Sequence, residues 1–308
     1  MCVKNVVFAA LNSQNFFESM MRNTNKLVLT AIFPLFMLFL YNCGGGDSDQ
    51  APDVSHIDVK VQVQRFDQDL FSLDTNNLEA GLRQLAAKYP DFLPFFMFEI
   101  VHDPYNPEEE PLEAITGFVT APQLRRLNDS CQLAFPNLDR LTADLEQLSR
   151  YYKYYFPEKP APRYVIAVTE FIGDVVSVND SLIMIGLDLF LGENFSGYNR
   201  DIFPQYIRRQ FSPEYITTKV ALQLANRIVG PAPGAQVLDE MLSNGKKLYL
   251  MDMLLPGVPD SIKMGYTRAQ MEGCYVNEQE VWAKLLEKGF LYQPVNSKNQ
   301  KIVTLSPS

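Results

Sequence analysis

The sequence predicts an α+β fold: a mostly helical single domain with a small antiparallel or mixed sheet. Three observations carry this. His56–Phe66 alternates, setting Ile57, Val59, Val61 and Val63 against Asp58, Lys60, Gln62 and Gln64, as a strand with one dry face does. Asn137–Phe156 places Leu138, Leu141, Leu145, Leu148, Tyr152 and Phe156 at intervals of three and four, the stripe of an amphipathic helix. Val175–Val178 and Leu182–Leu187 are apolar runs flanking Asn179-Asp180, which reads as a hairpin. Strand, helices, strands and helices succeed one another in that order, unlike a βαβ repeat.

The remaining elements follow along the chain. Leu78, Leu82, Leu85 and Tyr89 predict a helix capped by Asp74 or Thr75 and stopped by Tyr89-Pro90. Asp91–Ile100, dense in Phe, predicts a hydrophobic wedge under the core. Thr120 and Pro122 open a helix with Leu124, Leu127, Cys131 and Ala134 on one face. Tyr164–Thr169 is strand-like. Pro213–Val229 and Gln236–Leu255 predict helices, the second weak at Gly245 and closed by Pro256. Thr267 with Gln270 makes a capping box that opens one helix to Lys288, ended by Gly289.

The chain has 308 residues, 47% of them hydrophobic and 20% charged, the composition of a folded globular protein. Its net charge of −9, with no basic stripe, excludes nucleic acid as the expected partner. G-x-x-x-x-G-K-[ST], G-x-S-x-G and H-E-x-x-H are all absent. His56 and His102 are the chain's two histidines, and each reads as a solvated loop or strand-edge residue rather than a catalytic base. No catalytic residue, metal ligand or cofactor is therefore assigned.

Residues 1–42 read as a signal peptide, with Met20 and Met21 as alternative starts. Arg22 and Lys26 precede the apolar run Leu27–Leu40, which Pro34 interrupts and which is too short to span a bilayer. Cys43 follows within three positions of the run, as in the lipobox of bacterial lipoproteins, and is the expected site of lipid attachment. Leu40 fits that pattern; Asn42 replaces its usual small residue. Residues 43–55, with Gly44-Gly45-Gly46, read as a lipidated flexible tether. Cleavage before Cys43 removes Lys4, Arg22 and Lys26 against Glu18 alone, leaving a more acidic domain that lipid, not basic residues, would hold at the membrane. Cys131 and Cys274 then remain; a disulfide is one reading, and two small buried hydrophobes is the preferred one.

Carboxylate pairs are the other chemistry on offer. Asp67/Asp69, Asp174/Asp180 and Asp188/Glu193 flank strands or turns, and each is equally explained as a turn former or cap. Glu108-Glu109-Glu110 reads as a solvated acidic loop. Tyr151, Tyr152, Tyr154, Tyr155 and Phe156 could stack on sugars, but a helix end favours core plus rim.

Val63-Gln64-Arg65-Phe66-Asp67-Gln68-Asp69-Leu70-Phe71 resembles the opening of the gliding-motility-associated lipoprotein B (GldB) family of Bacteroidota. Further matching blocks are Tyr89–Pro94, Tyr154–Pro157, Ile185–Gly192, Pro204–Tyr206, Gly245–Tyr249 and Leu254–Pro256, together covering about residues 58–293. The resemblance implies a non-catalytic envelope lipoprotein, at the outer membrane, supporting gliding or an associated secretion and assembly apparatus. Its implied partners are the bilayer, through acylated Cys43, and envelope proteins. The family also resembles zincin-type proteases, in which a strand ending in Gly-Leu-Asp leads to a helix bearing H-E-x-x-H. The corresponding helix here, Thr217–Ala225, has no ligand, which implies a degenerate zincin-like scaffold without metal. The alternatives are a peptidase or glycosidase of that ancestry and a glycan-binding surface lipoprotein. Residues 56–293 form the expected GldB-like domain. Residues 294–308 read as a polar tail unlike the family's final segment, as a truncation would leave.

Overall fold

The computed structural model describes residues 51–303 apart from 107 and 298; residues 1–42, expected to be a signal peptide, and Cys43 lie outside the described residues. From Val54 onward the chain forms one unit, α+β and mostly helical, around a small mixed sheet. Its strands are β1 (Val63–Arg65), β2 (Arg163–Ala167), β3 (Val175–Ser177) and β4 (Leu182–Gly186), in the order β1-β2-β4-β3. β2 lies parallel to both β1 and β4, and β3 closes the edge antiparallel to β4. β4 is buried along its whole length and β2 beyond Arg163, as strands covered on both faces are. The hairpin forms where expected, and Asn179 Oδ1 accepts from the Ser181 and Leu182 amides to tighten its turn.

The first strand is shorter than its alternation predicts. Only Val63–Arg65 find ladder partners, opposite Tyr164–Ile166 of the short strand β2, and the Tyr164 amide reaches back to Gln62 O at 2.9 Å. Val59 is nonetheless buried. The chain then turns directly into α1 (Phe66–Phe71), because the Phe66 ring is needed inside. It meets the rings of Tyr89, Phe92 and Phe96 at centroid distances of 5.1, 4.8 and 4.8 Å. The expected Phe-rich wedge is thus α3 (Leu93–Phe96), continued by a π-turn over Met97–Val101.

Between β1 and β2 run α2 (Leu78–Lys88), α3, α4 (Pro111–Thr120), α5 (Pro122–Ala134) and α6 (Asp139–Tyr155). Neither Asp74 nor Thr75 caps α2; Asn77 occupies the cap position, and Asp74 accepts from the Asn76 amide one turn earlier. The sequence reading did not anticipate α4, which starts with Pro111 at its first position, where a missing N–H costs nothing. α6 buries Leu145, Leu148 and Tyr152 as its stripe predicts. After the sheet come the four-residue α7 (Gln205–Arg208), then α8 (Ile216–Val229) and α9 (Val237–Leu254), which pack on each other. Gly245 lies buried inside α9 without breaking it.

α10 (Asp260–Met264) precedes the helix expected over Thr267–Lys288, which is two helices: α11 (Arg268–Val276) and α12 (Glu278–Glu287). The Thr267–Gln270 capping box is present. Asn277 divides the pair, turning its side-chain N–H back to Gly273 O and occupying the N-cap position of α12. The polar segment beyond Tyr292 docks on the domain: the Val295 amide donates to Ala235 O, and α13 (Gln300–Val303) packs on α9. The continuous apolar core runs from Phe66 to Leu255 in sequence, and Met271, Leu285 and Leu291 are buried outside it.

Candidate functional site

The parallel strands β1, β2 and β4 end at the same edge of the sheet, the edge at which open α/β sheets place ligands. Three segments leave it: Arg65–Asp67 after β1, Thr169–Gly173 after β2, and Asp188 after β4. Asp67 and Asp188, two of the acids that the sequence singles out, are therefore brought to one edge, and the buried thiol of Cys131 from α5 feels both charges.

Asp188 is wholly buried. Its carboxylate accepts from the Thr169 amide at 2.9 Å, the Phe171 amide at 2.6 Å and the Thr169 hydroxyl at 3.2 Å. Burial outweighs these bonds and pushes its pKa up from 3.8 to about 6. Its backbone carbonyl accepts from Tyr198 Oη, whose oxygen accepts in turn from the Leu191 amide. What the carboxylate holds is unusual. Glu170 and Phe171 have φ of 55° and 66°, two successive non-glycine residues in left-handed backbone, at about 1–3 kcal/mol each.

Asp67 is equally buried and engaged. It receives Arg65 Nε at 2.9 Å and Arg65 Nη2 at 2.6 Å, and Gln132 Nε2 at 2.8 Å. Gln132 Oε1 accepts from Arg65 and Gln68, closing the network. The Cys131 thiol is pushed far above its usual range, by burial first and then by the charges of Asp188 and Asp67. A thiol held protonated this firmly is no nucleophile. Cys131 and Cys274 are not joined to each other.

Of the other expected acids, Asp180 is exposed in the hairpin turn and the rest are engaged. Asp69 accepts from Lys88 and from Tyr89 Oη, Asp174 pairs with Lys219 at 2.5 Å, and Glu193 accepts from Gln205. His56 and His102 are exposed, the latter stacked on Phe98. Tyr152 is buried, whereas Tyr154 is exposed with its ring edge-on to Tyr155. In α8, the helix that the resemblance sets against H-E-x-x-H, two residues four apart reach β3: Lys219 bonds Asp174, and Gln223 donates to Val175 O at 2.9 Å. An ammonium and a bonded amide do not fit zinc, and among the described residues no group of three or more His, Cys, Asp or Glu could hold a metal ion.

A cleft of about 790 Å³ opens between the end of α5, α6, the start of α8 and the turn after α9. Leu141, Leu148, Ile216, Leu255 and Ile262 form its apolar wall, with Arg140, Asp144 and Glu214 on its exposed rim. Its size suits a small-molecule or peptide ligand. The Arg65–Gln132 network, the Asp188 bonds and this cleft were not found from sequence; the Arg-x-Asp spacing at the end of a strand was the only local signal for any of them.

Neither a curated protein nor a solved structure matches the chain. The family model of gliding motility protein GldB matches residues 47–308, and the chain belongs to that family.

Proposed function

We propose that this protein is an envelope lipoprotein, anchored at the outer membrane through acylated Cys43, that supports gliding motility or an associated secretion and assembly apparatus. It acts by contact with envelope proteins and not by catalysis. The observation that carries this reading is membership of the gliding motility family over residues 47–308. The Leu40–Cys43 pattern and the polar tether support the anchor. The non-catalytic part is supported by the buried polar groups at the sheet edge: Asp67, Asp188 and Cys131 are all committed to structure or held unreactive.

The test is metabolic labelling with an alkynyl palmitate, read together with colony spreading. Label should enter the wild-type protein and be absent from Cys43→Ser, which should leave the membrane fraction, and deletion of the gene should abolish spreading. Label that persists in Cys43→Ser would overturn the anchor. A hydrolytic activity that falls with Asp188→Ala would overturn the non-catalytic assignment.

A further inference from the structure

We propose that the cleft of about 790 Å³ is a peptide-docking site, taking an extended segment of a partner protein that sets an apolar side chain beside a lysine or arginine. The proposal rests on the contact function proposed above and adds to it a place and a partner chemistry.

The wall of the cleft is aliphatic on three sides: Leu141 and Leu148 from α6, Ile216 from α8, and Leu255 with Ile262 from the turn after α9 and from α10. Pro256 and Pro259 stiffen that turn, so the shape exists before anything binds. Among these apolar groups α8 sets Thr218. It lines the cleft while only 4% exposed, and its hydroxyl has no hydrogen-bond partner among the described residues. A buried helical hydroxyl can bond back to the carbonyl four residues earlier, as Ser149 on α6 does to Leu145 O at 2.7 Å. Thr218 does not, so its donor and acceptor are left for a group lying in the cleft.

The rim is equally unanswered. Arg140 and Asp144 stand four apart on α6 without pairing, although Glu146 and Arg150 on the same helix do pair. Glu214 accepts from the Ser212 hydroxyl at 3.2 Å and meets no cation among the described residues. Two carboxylates and one guanidinium thus border an apolar cleft with no counter-ion.

These groups select the occupant. A fatty acyl chain would leave Thr218 unpaired and bring its own carboxylate to two acids. A phosphate-bearing ligand would meet the same two acids with Arg140 alone to hold it. A peptide backbone offers an N–H and a C=O at each residue, which the Thr218 hydroxyl and Arg140 can complete. Its apolar side chain fits the aliphatic wall, and a basic neighbour answers Asp144 and Glu214.

The experiment selects from a library of random nine-residue peptides on the purified full-length protein, then measures a labelled enriched peptide by fluorescence anisotropy at physiological salt. Enriched sequences should carry Lys or Arg within three positions of Leu, Ile, Val, Met or Phe. Asp144→Lys combined with Glu214→Lys should weaken binding at least tenfold. The same charge change made by Glu113→Lys with Glu287→Lys, both exposed and outside the cleft, should leave it within threefold. Thr218→Val keeps the shape and should weaken binding at least threefold without lowering the melting temperature. The proposal is overturned if no sequence is enriched, if the enriched peptides lack a basic residue, or if the two charge reversals cost the same. Thr218→Val binding like wild type would also overturn it, as would a fall in melting temperature, which would show the hydroxyl to be paired within the fold. An anthroyloxy-labelled stearate bound in place of any peptide would make the cleft a lipid site and equally end the proposal. None of these readouts depends on colony spreading, so failure of the docking site and failure of the motility assignment are told apart.

Discussion

At the scale of single residues, Asp188 controls how the sheet edge responds to pH. Its folded pKa of about 6 lies above the 3.8 of an ordinary aspartate, so the native state binds this proton more tightly than the unfolded chain does. The stabilising contribution of protonation is full below the ordinary value and is lost as pH rises through about 6. Asp188→Asn removes the titration while keeping the shape. The stability gap between wild type and Asp188→Asn, measured by urea unfolding, should therefore widen by on the order of 2 kcal/mol in favour of wild type as pH falls from 7 to 4. Parallel pH profiles would contradict this. Cys131 gives a second test. Cys131→Ser buries a hydroxyl in the fully enclosed core where Cys131→Ala leaves only a small void, so Ser should cost about 1 kcal/mol more than Ala on the same assay.

At the scale of elements, close backbone packing decides which substitutions the strands accept. A Cβ on Gly186, the last residue of β4, would lie 2.2 Å from Gly173 O and 3.0 Å from the Thr169 side chain. Gly186→Ala should therefore force the strained turn off the strand end and destabilise the fold by about 2 kcal/mol or more, read as a fall in the denaturation midpoint. Elements were legible in the sequence where local pattern and tertiary demand agreed. The stripe of α6 and the Asn179-Asp180 hairpin carry their own instructions. The alternation of His56–Phe66 does not, because a strand also needs a partner, and β2 offers a ladder only to Val63–Arg65. α4 was missed because three glutamates and Pro111 read as loop, although proline at a first helical position is a start signal. The Asp188 bonds were illegible for a different reason: they join residues 17 and 19 positions apart whose meeting depends on two parallel strands ending together.

Across the whole molecule, the apolar core is not shared evenly. Its continuous part ends at Leu255, and α11 and α12 each bury a single residue, Met271 and Leu285. Tyr275, Val276, Val281 and Leu286 remain exposed on the same two helices. Local opening should accordingly come first there. In native-state hydrogen exchange the amides of residues 268–287 should exchange at least tenfold faster than those of β4 and α8, and equal protection would show that the helices belong to the main cooperative unit.

The sheet also sets an order of assembly. β1 and β2 are neighbours in space but about a hundred residues apart in the chain, and the six helices α1 to α6 lie between them. A chain emerging amino-terminus first can close the local turns of those helices early, yet β1 has nothing to pair with until Tyr164–Ile166 arrives, and the edge is complete only when Asp188 follows. The amino-terminal half must therefore wait, helical and with its first strand open, for a carboxyl-terminal sequence to give it a sheet. Until that sequence arrives, the backbone groups of the first strand stay open to pairing with another chain.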